Sequence, residues 1–186
     1  VNAANTELKM GGGVCGAIFQ AAGKNELQEA CNGLSPIKTG EAVITPGFAL
    51  PASYIIHVAG PVYNPSCPKE SEKLLRSAYL NSLNLAKDYN CKNIAFPLIS
   101  SGIYGYPKDE ALKVATTAIK DFLGNHDMDI YLAVFDKDAF MVSEKLLGEV
   151  ASYIDDNYIE KHKLSRRELL DIERRSLADA IHIEYD

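Results

Sequence analysis

The sequence of 186 residues lacks any apolar run of membrane-spanning length, and no signal-peptide pattern opens it, so a membrane partner is not expected. Its four cysteines, Cys15, Cys31, Cys67 and Cys91, form no Cys-x-x-Cys pair, and none stands beside a histidine at zinc spacing. No metal site is expected from them, and reduced thiols in a cytoplasmic protein are. Positive charge is also scarce. Nineteen lysines and arginines face 25 acidic residues, a net charge of −6, which argues against a nucleic-acid surface. Neither the Walker pattern nor the dinucleotide fingerprint occurs. None of these absences excludes a phosphate ligand, because backbone amides bind anions without formal charge.

What is present is a pair of similar units. Val1 to Ala4 reads as the end of a buried strand, Gly11 to Gly13 break it, and Val14 to Ala22 has helical spacing. Ile94 to Ser100 reads as a second buried strand. It runs into Ser101-Gly102-Ile103-Tyr104-Gly105-Tyr106-Pro107 and then a helix. Strand, glycine loop and helix start make a phosphate site, since glycines admit the ligand to the backbone and free amides at the helix N-terminus point at it. A tight turn is the plain alternative for either loop alone. Two such loops in one α/β domain can clamp two phosphates from opposite sides. With only Lys9 as a cation nearby, amides are expected to hold such phosphates.

The remaining chain fits an α/β domain with a real core, 47% of its residues being apolar. Glu26 to Cys31 reads as a short helix, Ala42 to Thr45 as a strand, and Tyr54 to Ala59 as a centre strand covered on both faces. His57 in that strand reads as a packed histidine rather than a catalytic one. Ser71 to Tyr89 is an amphipathic helix with Leu74, Leu75, Ala78, Tyr79, Ser82, Leu83 and Ala86 on its stripe. Pro107 is expected at the first position of the next helix and Gly124 at its close. Ile130 to Phe135 reads as the last strand. Residues 139–159 have helical spacing, and Ser165-Arg-Arg-Glu168 is a capping box opening another helix.

Five blocks, in order, resemble the macrodomain: Asn2-Ala-Ala-Asn5, Gly11-Gly-Gly-Val14, Thr39-Gly-Glu-Ala42, His57-Val-Ala-Gly-Pro61 and Pro97 to Pro107. The sequence resembles the bacterial MacroD-like branch. The resemblance implies a three-layer α/β/α fold with a mixed, mostly parallel sheet over residues 1–142. Residues 143–186 are then a C-terminal helical extension, which packs back on the domain, mediates self-association or leads to another module. The family's N-terminal strands have no counterpart here, and no residue answers to the aspartate that contacts adenine in the family. The resemblance further implies an ADP-ribose ligand, with no cofactor. The expected ligand residues are Gly12, Gly13, Val14, Cys15 and Gly16 in the first loop, and Ser100, Ser101, Gly102, Ile103, Tyr104 and Gly105 in the second. Phe135 matches the position whose ring stacks on adenine, although a core role fits an aromatic strand end equally well.

In the hydrolytic branch an asparagine orients the distal ribose, assisted by a loop aspartate and a histidine one turn later. By position these are Asn5, Cys15 and Phe19, so only the asparagine is kept. A thiol supplies no carboxylate charge at neutral pH unless its pKa is lowered, and a phenylalanine exchanges no proton. Macrodomains lacking both groups resemble cases of substrate assistance, in which the α-phosphate positions the water, Asn5 holds the ribose and Tyr104 closes over it. Cys15 reads as a packing residue that offers its amide rather than as a nucleophile. Two functions therefore follow from the resemblance. One is a slow hydrolase that removes ADP-ribose from acidic side chains or deacetylates O-acetyl-ADP-ribose. The other is a non-catalytic reader of free or protein-linked ADP-ribose. The oligomeric state is left open.

Overall fold

In the computed structural model, residues 1–134 and Met141 are described. The elements run β1 (Asn2–Ala4), α1 (Gly13–Ala22), α2 (Lys24–Asn32), β2 (Ala42–Pro46), β3 (Tyr54–Ala59), α3 (Pro68–Asp88), β4 (Asn93–Pro97), α4 (Lys108–Leu123) and β5 (Asp129–Ala133). β3 is central to one ladder, parallel to β1 with Asn2 opposite His57, and antiparallel to β2 with Ile44 opposite Ile56. β4 and β5 form a second, parallel ladder. The Val1 amine donates to the Ala95 carbonyl at 2.6 Å, which lays β1 beside β4. The result is the mixed, mostly parallel arrangement expected.

β3 shows why there are three layers. Its side chains alternate between faces. Ile56 and Val58 join the core under α3 and α4, with Leu75, Tyr79, Phe96 and Phe122. Ile55 and Ala59 join a second core under α1 and α2, with Leu8, Phe19, Leu27 and Cys31. A strand buried on both faces has no polar side, hence its continuous apolar run. His57, on the second face, is fully buried. α3 buries the stripe its spacing predicts, from Leu75 through Ala86, while Leu74 at its edge is only half-buried.

Some boundaries differ from expectation. β4 stops at Pro97 rather than Ser100. The chain turns there, with the Ser101 N–H bonded to the Leu98 carbonyl and Ser100 at φ 64°. Proline also withholds the N–H that a continuing ladder would need. Pro107 is the cap of α4 rather than its first residue. Gly124 closes α4 with a right-handed φ of −59°, its N–H bonded to the Lys120 carbonyl. β5 ends at Ala133, one residue before Val134, which the expected strand included; Phe135, its expected end, lies outside the described residues, as do the residue-142 boundary and the C-terminal extension.

Candidate functional site

The loop after β1 and the loop after β4 come to the same end of the sheet. β1 is parallel to β3, and Gly60, just past the end of β3, abuts the loop after β4. A Cβ on Gly60 would lie 2.4 Å from Ser100 Oγ and 2.5 Å from Ile99 Cγ2, so only glycine allows this approach. The Tyr63 N–H also donates to the Tyr104 carbonyl at 2.8 Å, tying the segment after β3 to the second loop.

In the first loop, Gly12 caps α1 with no side-chain hydrogen bond, and no acidic residue stands in the first turn of the helix. The early N–H groups of a helix have no partner within it. Here those of Gly13, Val14 and Cys15 have no hydrogen-bond partner among the described residues, and no acidic residue of the first turn opposes the positive end of the helix dipole. Gly13 adopts φ 56°, which suits glycine. Gly16 must also be glycine, because a Cβ there would come 2.6 Å from the Gly11 carbonyl oxygen. Val14 is exposed and Gly16 buried.

The Cys15 side chain is turned inward and buried. Its Sγ lies 3.6 Å from Asn2 Nδ2 and 3.9 Å from the Lys9 carbonyl. Burial pushes the thiol pKa up, against the opposing pull of the Gly11 backbone and the Asn2 side chain. Phe19 packs edge-on to His57 and is 1% exposed, so nothing there moves a proton. His57 is the packed histidine the sequence suggests. Asn2 Nδ2 stands 3.0 Å from its Nδ1 and Thr45 Oγ1 3.0 Å from its Nε2. Burial pushes its pKa down to about 4.

Asn5 is half-buried in the loop after β1. Its Oδ1 accepts the Lys9 N–H at 3.0 Å and its Nδ2 donates to the Lys9 carbonyl at 2.9 Å. One N–H and one lone pair of that amide remain for another partner.

In the second loop, Tyr79 of α3 sets the departure from β4. Its buried hydroxyl donates to the Pro97 carbonyl at 3.4 Å and accepts the Ile99 N–H at 3.1 Å. Ser101 Oγ donates to the Leu98 carbonyl, and the Tyr106 N–H to the Ser100 carbonyl. Ser100 is buried, and its Oγ has no hydrogen-bond partner among the described residues. Gly102 faces open space where a side chain would stand, and Gly105 adopts φ 68°. Ile103 and Tyr104 are half-buried beside them. Phe135 lies outside the described residues.

Two side chains that the sequence reading missed, Gln28 and Tyr79, reach these loops from helices. A groove between β2 and α3, lined by Glu41, Asn81, Asn84 and Asp88 among others, lies away from both loops. Its lining carries two carboxylates and no cation, which suits a diphosphate poorly. Among the described residues no helix is long and apolar enough to cross a membrane.

Comparison with known proteins agrees with this geometry. The Macro domain family matches residues 1–115. The O-acetyl-ADP-ribose deacetylase of Escherichia fergusonii is 44% identical over 155 residues, 80% of this chain and 86% of that protein. The human ADP-ribose glycohydrolase MACROD2 is 40% identical over 171 residues, 90% of this chain and 40% of that protein. The Oceanobacillus iheyensis macrodomain, solved with ADP, superposes with a TM-score of 0.74 at 39% identity, covering 86% of this chain and 83% of that one. With the family matched over most of the chain and the fold shared at these identities, the protein belongs to the macro domain family.

Proposed function

We propose that the chain binds ADP-ribose between the loops after β1 and β4 and slowly hydrolyses ADP-ribosyl esters of acidic side chains or O-acetyl-ADP-ribose. The observation that carries the reading is the N-terminus of α1, with no side-chain cap and no acidic residue in its first turn, at the same sheet end as a second glycine loop holding a buried Ser100 hydroxyl with no partner among the described residues. Such amides and hydroxyls suit the oxygens of a diphosphate. The names of the deacetylase and glycohydrolase relatives support the reaction class, and the ADP-bound neighbour supports the ligand class.

In this reading Gly12, Gly13, Val14, Cys15 and Gly16 offer backbone to one side of the diphosphate. Ser100, Ser101, Gly102, Ile103, Tyr104 and Gly105 close the other side. Asn5 uses its spare N–H or lone pair to orient the distal ribose. Water, positioned by the substrate's own phosphate, breaks the ester bond and releases ADP-ribose and the free carboxyl group. Orientation alone is worth several kcal/mol of barrier. Without a side-chain base the rate is expected to fall by ~10²–10⁴-fold. No histidine takes part, so turnover should show no inflection near pH 6.5.

A non-catalytic reader is the second reading, and the buried Cys15 and Phe19 favour it because neither offers a base. Calorimetry with ADP-ribose and single-turnover release of ADP-ribose from a glutamate-modified protein separate the two. Binding with release above the uncatalysed rate supports the hydrolase. Binding with release only at that rate leaves the reader, and absence of binding removes both.

A further inference from the structure

The approach to the first glycine loop is irregular, and side-chain amides hold it. Asn5 takes both backbone groups of Lys9. The groups flanking them go to Gln28 on α2. Gln28 Oε1 accepts the Met10 N–H at 3.0 Å, and Gln28 Nε2 donates to the Leu8 carbonyl at 3.2 Å. The second N–H of Nε2 is directed at Asn32 Oδ1, 3.0 Å away and one helical turn along α2. Every hydrogen of the Gln28 amide is thereby used, and its plane is fixed from both the loop and the helix. Leu8 itself adopts φ 53° and is 1% exposed, so this bend is locked between a buried side chain and two carboxamides. Gly11 follows directly, and its carbonyl is the atom against which Gly16 of α1 packs.

We propose that Gln28 is a positioning residue: its amide holds the Leu8–Met10 bend against α2 and so fixes where the Gly11–Gly16 amides present themselves to an anion. The ligand part of this statement rests on the ADP-ribose reading above. Gln28 touches no ligand in this role. It acts through the backbone it clamps. A side chain packed only for stability would not need to match a donor and an acceptor two residues apart. Leucine fills similar space and can do neither.

The test uses the full 186-residue chain with Gln28→Leu and Gln28→Glu. Glutamate keeps the acceptor for the Met10 N–H and loses the donor to Leu8. Amide hydrogen exchange is read without ligand at Met10 and at Gly16, whose N–H bonds to the Gly12 carbonyl at the start of α1. α4 is the internal reference. Calorimetry then reads ADP-ribose affinity. In Gln28→Leu, exchange at Met10 and Gly16 is expected to rise while α4 is unchanged. Affinity should fall roughly three- to thirtyfold, the range that one or two lost hydrogen bonds span. In Gln28→Glu exchange at Met10 should rise less than in Gln28→Leu, because the acceptor is kept, while affinity should fall at least as far, because the carboxylate faces the Leu8 carbonyl and adds negative charge beside the loop. Unchanged exchange at Met10 and Gly16 in Gln28→Leu overturns the proposal. Faster exchange spread evenly over the chain in both variants overturns it too, making Gln28 a general packing residue. If Gln28→Leu does not fold, Gln28→Glu decides by the same amides. If the wild type does not bind ADP-ribose, the ligand reading fails and the exchange result still decides the positioning role.

Discussion

Asn5 and Lys9 are joined by a pair of hydrogen bonds, 2.9 and 3.0 Å, that engage both the N–H and the carbonyl of Lys9. The residue expected to orient the ribose therefore also shapes the loop that carries it. Asn5→Ala should cost about 1–2 kcal/mol of stability, the usual range for two partly exposed hydrogen bonds. If Asn5 has the further role of orienting the reacting ribose, single-turnover release should fall at least about tenfold more than ADP-ribose affinity. Urea unfolding, calorimetry and the release assay on one preparation give all three numbers. Equal losses of rate and affinity would leave Asn5 as a loop residue only.

Gly102 offers a cleaner probe of ligand approach, since a Cβ there would meet no atom of the described residues within 4 Å. Gly102→Val should fold with wild-type stability. Its ADP-ribose affinity should drop by at least ~1.4 kcal/mol, a factor of ten. Unchanged affinity would remove the second loop from the binding site.

Cys15 should be a slow thiol. Burial raises its pKa, and Cys31 is pushed up to about 11 by burial and then by the neighbouring Cys15. Iodoacetamide at pH 7 should label exposed Cys67 long before either of them. Cys15→Ala should keep most of the binding and most of any turnover, because the backbone of residue 15 rather than its sulfur faces the loop opening. A variant that binds ADP-ribose and is catalytically dead would show the opposite.

His57 sets a pH dependence of stability. Its pKa is about 4 in the folded chain against an ordinary 6.5. Between these values the unfolded chain binds the extra proton, so stability rises with pH. The contribution is fully present above about pH 6.5 and is lost as pH falls toward 4. A gap of this size amounts to roughly 3 kcal/mol. Urea midpoints measured from pH 4 to 7.5 should follow that curve, and His57→Gln should flatten it. A slope of the same size in the variant would assign the effect to the carboxylates instead.

Much of the fold was legible because it is local and periodic. The apolar run of β3, the stripe of α3 and the glycines between β1 and α1 each state their structure within a few residues. The packed state of His57 was legible from its place in a fully apolar strand. The end of β4 was not, because Leu98 and Ile99 continue its hydrophobic pattern while Tyr79, 20 residues from Ile99, takes the Ile99 N–H out of the ladder. Gln28 was missed for the same reason. Its partners are 18 and 20 residues away, and in its own helix it looks like any half-exposed polar residue. Local pattern shows where a loop is, and distant side chains decide what shape it keeps.

The left-handed backbone of Ser100 bears on how fast a ligand can be taken up. A non-glycine residue at φ 64° costs about 1 kcal/mol or more, and contacts from Gly60 and Tyr79, all within the protein, hold the neighbouring chain in place. A loop already in its strained form needs no rearrangement during encounter. Association should follow a single exponential whose rate climbs linearly with concentration, and loop variants should differ in residence time rather than in capture.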